Sequence, residues 1–392
     1  MDLELSEDEA ALRSNVRAVL TSACPPAVVR AAFDGSGEKD VAALWAQMVE
    51  LYWPALAIPE DHGGLGLGFV EVTLVAEELG RAVAPGPFLA TVSQFAPAVR
   101  EAEAGAAAAT GKDLAADLLA RVAAGEVTGT VALAERGRWE PAAVAATATE
   151  VDGGWALAGT KDAVLDGATA DEVLVIARAP GSSGRDGLGA FVVPGPQLTA
   201  EVRRTADPTL PIADVTLDGV VVPADRVLAA PGTDGLAAAL DRAGQEAVVA
   251  LAAVTVGACR IVFETTLAYV KVREQYGRPI GSFQALKHRL ADMYLAVERA
   301  ASLCWFAALT IAEDDPRRAE AASMAKAAAG ECQRLVAQDG LQLHGGIGLT
   351  WENDLHFAVK RAIASSPLYG NAVHHRTRLA SMLGITPEEV AA

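Results

Sequence analysis

Two short segments in the C-terminal third of the chain combine residue types that suit a bulky, phosphate-bearing cofactor. The first, REQYGRPIGSFQ, runs from Arg273 to Gln284, and the second, QLHGGIG, runs from Gln342 to Gly348. An arginine can form paired hydrogen bonds to phosphate oxygens. Adjacent glycines allow backbone N–H groups to come close to a ligand. The two segments together therefore predict a cofactor site.

Each segment also has a purely structural interpretation. Arg273 ends a predicted apolar helix, where the helix dipole favours a cation. The glycines of the second segment could cap the end of another helix, and we interpret Gly348 in that way. His344 lies between them and is interpreted as a packing residue.

The composition is that of a large globular chain with an acidic balance. The 392 residues, of which 52% are hydrophobic and 21% charged, allow two or three domains that share a large interior. The formal net charge of -18 argues against nucleic acid and anionic membrane surfaces as partners. The four cysteines are widely spaced, so neither a metal site nor a disulfide framework is predicted.

The start of the chain is acidic and does not look like a secretory signal, which predicts a cytoplasmic location. No stretch is expected to span a membrane. The segment 236–256 comes closest, but it is interrupted by the polar residues Asp241, Arg242, Gln245 and Glu246.

The pattern of apolar residues changes twice along the chain. Helical spacing dominates residues 1–125 and returns over 233–392. Between them, residues 126–232 contain short apolar runs that are typical of strands, at 130–133, 171–177 and 189–193. We therefore predict an α+β protein, mostly helical, with three domains at these bounds.

The two C-terminal segments resemble those of the acyl-CoA dehydrogenase flavoprotein family. Further matching segments, in the same order as in that family, are 56–67, 77–80, 159–161, 351–356 and 360–361. The resemblance covers nearly the whole chain. It implies an N-terminal helical domain, a middle β-barrel or sandwich domain, and a C-terminal four-helix bundle with FAD and oligomer contacts. The implied reaction is the α,β-desaturation of an acyl-CoA thioester with FAD as hydride acceptor.

The resemblance assigns six residues of this chain to FAD binding. In the family, an arginine holds the FAD pyrophosphate of a neighbouring subunit, and an aromatic residue and a glutamine of the same segment line that site. A Gln-x-x-Gly-Gly segment packs against the adenylate side. The matching residues are Arg273, Tyr276, Gln284, Gln342, Gly345 and Gly346.

The segments that hold the flavin ring in the family are altered in this chain. A Thr-Glu-x-x-x-Gly-Ser-Asp string is replaced by AERGRWEP over 134–141, and the Trp-Ile-Ser/Thr-Asn-Gly string after Lys161 is replaced by DAVLDG over 162–167. A flavin ring needs hydrogen-bond partners at its nitrogens and carbonyls. Ala134 and Leu165 have no side-chain donor or acceptor for it.

The usual catalytic base is also missing. Desaturation requires a carboxylate to take the α-proton. Most relatives place this glutamate in a Tyr-Glu-Gly-Thr string, which falls here on Tyr369 or Gly370. Other relatives place it on an earlier helix, at a position that matches Ala247. Glu246 is the candidate base, although a shift of one residue turns a helical side chain by about 100°.

These patterns favour a partner subunit of a heteromeric acyl-CoA dehydrogenase of the actinobacterial type that degrades steroid side chains. Its expected partners are an acyl-CoA, a homologous subunit and an electron-transfer flavoprotein. Three alternatives stay open. The chain could be a self-sufficient homotetramer that uses Glu246, a flavin oxidase or monooxygenase on the same fold, or a helical scaffold without cofactor.

Overall fold

The computed structural model describes residues 4–105 and 109–385, and its N-terminal part is helical. The helices of this part are α1 (Glu7–Ala23), α2 (Pro26–Asp34), α3 (Glu38–Glu50), α4 (Phe69–Ala82), α5 (Phe88–Ala90), α6 (Ala96–Gly105) and α7 (Ala109–Ala123). A π-helical segment, Thr91–Phe95, joins α5 to α6. Such wide turns often occur at functional sites.

The middle part forms one eight-stranded sheet. Its strands are β1 (Gly129–Ala132), β2 (Thr147–Val151), β3 (Gly154–Leu165), β4 (Glu172–Arg178), β5 (Leu188–Pro194), β6 (Thr199–Val202), β7 (Ile212–Pro223) and β8 (Val227–Ala229). The strand order is β6-β7-β3-β2-β4-β5-β8, and β1 pairs in parallel with β4. All residues of β4 are buried, because both faces of the sheet are covered there.

The C-terminal part returns to helices. They are α8 (Leu236–Val272), α9 (Gln284–Ala312), α10 (Arg318–His344), α11 (Leu355–Ser365) and α12 (Ala372–Met382), with a small hairpin of β9 (Glu274–Gln275) and β10 (Arg278–Pro279). Helices α8, α9 and α10 pack against one another, and α11 packs on α8. The mostly helical, helix–sheet–helix order confirms the predicted fold class. The predicted domain bounds stay predictions; they fall in the loops after α7 and β8.

Two glycines allow α4 and α8 to cross with their backbones in contact. A Cβ atom added to Gly257 would lie 1.9 Å from the carbonyl oxygen of Glu77, and one added to Gly80 would lie 2.2 Å from that of Val254. Any larger residue would push the helices apart. The crossing therefore ties the N-terminal domain to the core helix of the C-terminal domain.

The expectation that no segment is apolar enough for a membrane span needs a correction. Two helices, α8 and α9, are long and apolar enough to cross a membrane. The mean hydropathy of an 18-residue stretch is 1.9 in α8 and 1.4 in α9. However, 89% of that stretch of α8 is buried inside the fold. The core helix of a globular protein can have the same length and apolar composition as a membrane span. The polar residues near its start do not prevent α8 from reaching this hydropathy.

A fully buried arginine on α11 joins all three domains. Arg361 Nε donates to Asp207 Oδ2 of the middle domain at 2.5 Å, and Nη2 donates to Thr209 Oγ1 at 2.6 Å. Nη1 donates to the carbonyl oxygen of Ala84, in the N-terminal domain, at 3.1 Å. Both Arg361 and Asp207 have no solvent exposure. A buried ion pair with this many hydrogen bonds makes the domain packing specific.

Replacing Arg361 by leucine should lower the free energy of unfolding by about 3–5 kcal/mol, because the buried Asp207 carboxylate loses its partner. Urea unfolding measures this loss. The matched control is Arg203→Leu, since the Arg203–Asp214 ion pair of 2.7 Å lies on the surface. Its loss should cost no more than about 1 kcal/mol. Equal losses in both variants would contradict the central role of Arg361.

Candidate functional site

The two sequence segments that predict a cofactor site lie side by side at one end of the C-terminal helices. Helix α8 ends one turn after Tyr269, and α10 ends at His344. The rings of Tyr269 and His344 stack with centroids 4.4 Å apart. His344 Nδ1 also lies 2.9 Å from the carbonyl oxygen of Gly340. His344 therefore has the packing role that its sequence context indicates, and it holds the two segments together.

Arg273 follows the last residue of α8 and points away from the helical core. Its N–H donates to the Tyr269 carbonyl at 2.9 Å, and its own carbonyl accepts from Ile280 N at 2.7 Å across the β9–β10 hairpin. In the described part of the chain, its guanidinium has no hydrogen bond or ion pair. Tyr276, at the tip of the hairpin, is 93% exposed. Both side chains are therefore available to a ligand outside the chain.

The remaining predicted FAD residues are exposed as well. Gln284 begins α9, and its Nε2 lies 3.1 Å from His288 Nε2. Gln342 lies on the last turn of α10. A Cβ atom added to Gly345 or Gly346 would meet nothing within 4 Å, so the backbone there is open to an approaching group. The six residues thus form an uncovered surface at one end of the bundle.

The altered segment in the middle domain contains a structural ion pair. Lys161 Nζ donates to Glu135 Oε1 at 2.5 Å. The Glu135 carboxylate also accepts from the backbone N–H groups of Ala145 and Ala146 at 2.8 and 2.9 Å. Burial lowers the pKa of Lys161 to about 8, and the Glu135 carboxylate opposes that shift. The pair is fully engaged in holding strands together, so it offers little to a ligand.

The altered segment 134–141 approaches the expected position of the base, and two half-buried aromatic rings meet there. Trp139 stacks on Tyr369 with centroids 6.1 Å apart and an interplanar angle of 26°. Tyr369 Oη donates to Gln94 Oε1, in the π-helical segment, at 3.3 Å. Burial raises the pKa of Tyr369 well above its usual range, so the phenol stays neutral. A neutral phenol with its proton engaged cannot take the role of a carboxylate base.

A cavity of about 410 Å³ adjoins this stack, and its carboxylates are already paired. Glu140 lies 3.4 Å from His374 Nε2 and 3.7 Å from Arg138 Nε, and Asp241 lies 2.7 Å from Arg185 Nη1. Each of these carboxylates therefore has an arginine within ion-pair distance.

His375 also lines the cavity, and burial lowers its pKa to about 3. Its Nε2 lies 2.9 Å from the Tyr369 carbonyl oxygen, so this nitrogen carries the proton of a neutral imidazole. Trp139, Gln94 and His375 were not found from the sequence. Trp139 left a signal there, because it stands where the family has a glycine.

Glu246 is buried and faces away from the cavity. Arg100 Nη2 donates to Glu246 Oε1 at 2.5 Å, and the Glu246 side chain is only 3% exposed. Its neighbours Gly244 and Gln245 line the cavity, whereas Glu246 does not. Burial raises the pKa of Glu246, and the Arg100 guanidinium opposes that shift. Its role as base stays a prediction, and the geometry favours a structural ion pair between α6 and α8.

Comparisons with known proteins agree with this architecture. Residues 6–126 match the acyl-CoA dehydrogenase N-terminal domain, and residues 233–383 match the acyl-CoA dehydrogenase C-terminal domain. The acyl-CoA dehydrogenase IpdE2 of Mycobacterium tuberculosis is 32% identical over 382 residues, which is 97% of this chain and 99% of that protein.

Two similar solved structures are complexes of two named chains. A chain of the ChsE4-ChsE5 complex from Mycobacterium tuberculosis is 26% identical with a TM-score of 0.82, covering 99% of this chain and 100% of that one. A chain of the Tcur3481-Tcur3483 steroid ACAD is 32% identical with a TM-score of 0.81, covering 98% and 99%.

The variant Glu246→Gln separates the catalytic from the structural role. We expect it to lower the free energy of unfolding by about 1–3 kcal/mol, because Arg100 loses a buried carboxylate partner. Turnover of an acyl-CoA by the folded protein and its partner should be unchanged. Glu264→Gln is the control, since that carboxylate is 42% exposed in its pair with Arg81. A loss of turnover by two or more orders of magnitude at unchanged stability would identify Glu246 as the base.

Proposed function

This chain belongs to the acyl-CoA dehydrogenase family, and we propose that it is the partner subunit of a heteromeric acyl-CoA dehydrogenase. Its cofactor is FAD, which supplies the acceptor for the hydride that leaves the β-carbon of the acyl-CoA. In this proposal, the chain contacts the pyrophosphate and adenylate of a flavin held mainly by a homologous sister chain. The supporting observation is the contrast between the exposed residues around Arg273 and the aromatic stack that stands at Tyr369 in place of a carboxylate base.

The exposed surface fits the tail of a dinucleotide. The Arg273 guanidinium can donate two parallel hydrogen bonds to a pyrophosphate, since nothing in the described part of the chain engages it. The open backbone at Gly345 and Gly346 accepts close approach by a flat or charged group. Gln342 adds an exposed amide beside them. These groups face outward, so a ligand seated on another chain can reach them.

The interior does not fit the flavin ring. The Trp139–Tyr369 stack lies where the altered segment 134–141 meets the expected position of the base, and the side chains of Ala134 and Leu165 are apolar. Tyr369 is neutral and hydrogen-bonded to Gln94. The carboxylate that takes the α-proton therefore belongs to the sister chain in this proposal. The self-sufficient alternative would require Glu246 to leave Arg100 and turn toward the cavity.

The similar complexes support a heteromeric assembly. ChsE4-ChsE5 and Tcur3481-Tcur3483 each contain two named chains, and the second is described as a steroid ACAD. We accordingly propose a steroid-derived or fatty acyl-CoA as substrate, and an electron-transfer flavoprotein as the next electron acceptor. A cytoplasmic location belongs to the same proposal.

The partner role is tested by purifying the chain alone and then together with a homologous chain. That homologous chain should retain the base glutamate of the Tyr-Glu-Gly-Thr string and the Thr-Glu-x-x-x-Gly-Ser-Asp string. We expect little flavin absorbance from the chain alone. The co-purified complex should contain one FAD for each pair of chains and should oxidise an acyl-CoA. The proposal fails if the chain alone forms a homotetramer with one FAD per subunit and oxidises acyl-CoA.

Arg273 provides a sharper test within the complex. Replacing it by alanine should raise the dissociation constant for FAD by roughly 10- to 100-fold, since hydrogen bonds to charged groups contribute about 1.5–3 kcal/mol. The dissociation constant of Arg273→Lys should lie between those of the unaltered chain and Arg273→Ala, because lysine keeps the charge but cannot form two parallel hydrogen bonds. Flavin fluorescence titration measures both. Arg317→Ala, on a surface arginine that pairs locally with Asp315, is the control. Unchanged affinity in Arg273→Ala would remove this residue from the site.

A further inference from the structure

A second cavity lies between the N-terminal and middle domains, and it shares no lining residue with the cavity beside Tyr369. Its volume is about 480 Å³, which falls within the range of small-molecule sites. It is lined by the start of α3, the loop before α5, and the turns after β3 and before β7. Much of the wall is proline, at Pro85, Pro87, Pro208 and Pro211. This wall is rigid and apolar.

One charged side chain reaches the inner part of this cavity. Asp166 lines it and is 6% exposed. In the described part of the chain, its carboxylate makes no hydrogen bond and no ion pair, although its backbone carbonyl accepts from Thr169 and Ala170. Its backbone is in the left-handed region, with φ of 53°. The residue is largely buried, and what it still exposes faces the cavity, so a ligand or bound solvent molecule there can supply the hydrogen bonds that the carboxylate needs.

The surroundings of Asp166 give the charge preference of the cavity. The other charged residue that lines it is Glu38, an exposed carboxylate near the start of α3. None of the described lining residues is Lys, Arg or His. Arg361 lies behind Asp166 and attracts it, but its guanidinium is already engaged by Asp207 and Thr209. A cationic ligand would therefore find a carboxylate that no cation within residues 4–105 and 109–385 neutralises by contact.

A metal ion does not fit these residues as well as an organic cation does. In the described ranges, no group of three or more His, Cys, Asp or Glu side chains could hold a metal. The cavity is also far larger than an ion requires, and its walls are mainly apolar. A charged nitrogen on a hydrocarbon body matches both the single inner carboxylate and the proline wall.

We propose that this cavity binds an organic ammonium ion, with the charged nitrogen on Asp166 and the hydrocarbon part against the prolines. A diamine would place its second nitrogen toward Glu38. The site is separate from the proposed FAD surface, so its occupation does not depend on whether the chain has a sister subunit.

Calorimetric titration of the purified chain with cadaverine, a five-carbon diamine, tests the proposal. At about pH 8 and physiological ionic strength, which screens attraction to the acidic surface, we expect saturable binding with one diamine per chain. Pentanediol, which has the same length without charge, should not bind. The variant Asp166→Asn should lower the affinity at least tenfold. Asp225→Asn, on an exposed carboxylate of the same domain, should leave it unchanged.

A second measurement on the unaltered chain covers the case in which Asp166→Asn does not fold. Burial raises the pKa of Asp166 to about 7, and Arg361 opposes that shift. The ionised fraction therefore rises about tenfold from pH 6 to pH 8, and cadaverine affinity should rise with it. The proposal is overturned if cadaverine does not bind saturably. It is also overturned if the affinity is independent of pH over this range, or if Asp166→Asn binds cadaverine as tightly as the unaltered chain.

Discussion

The Arg361–Asp207 ion pair is the contact on which the arrangement of the three domains depends. It is fully buried and links α11 to the middle domain, while the same guanidinium donates to a carbonyl that follows α4. Because α11 is held in this way, the segment that follows it enters the interior at a defined place. That segment brings Tyr369 onto Trp139 and Gln94. The position of this aromatic stack is thus a consequence of the domain junction.

The two halves of the predicted cofactor site differ in their physical state. The residues around Arg273 and Gly345 are exposed, so a ligand on another subunit can bind there without opening the core of the fold. The residues around Tyr369 are packed, neutral or ion-paired. Flavin chemistry needs polar groups that face the ring, and this interior offers aromatic surface instead.

The buried charges of Lys161, Glu246 and Asp166 differ in whether they have an ion-pair partner. Lys161 with Glu135, and Arg100 with Glu246, are paired at 2.5 Å and connect elements that are distant along the chain. Asp166 is buried to a similar degree but lacks such a partner among the residues that the structure describes. The paired groups have an evident structural role, because removing one partner would leave a charge in the interior. An unpaired carboxylate has no such role, which is why it points to a ligand.

The sequence alone determined the fold class, the order of helical and strand segments, and the segments that carry the family resemblance. These follow from local periodicity and from short motifs, which do not depend on distant contacts. Tertiary structure alone decided which side chains meet. The Trp139–Tyr369 stack joins residues more than half the chain apart, and the direction of Glu246 depends on Arg100 of another helix. Side-chain direction and proximity arise from how long helices pack, and a linear pattern does not contain that information.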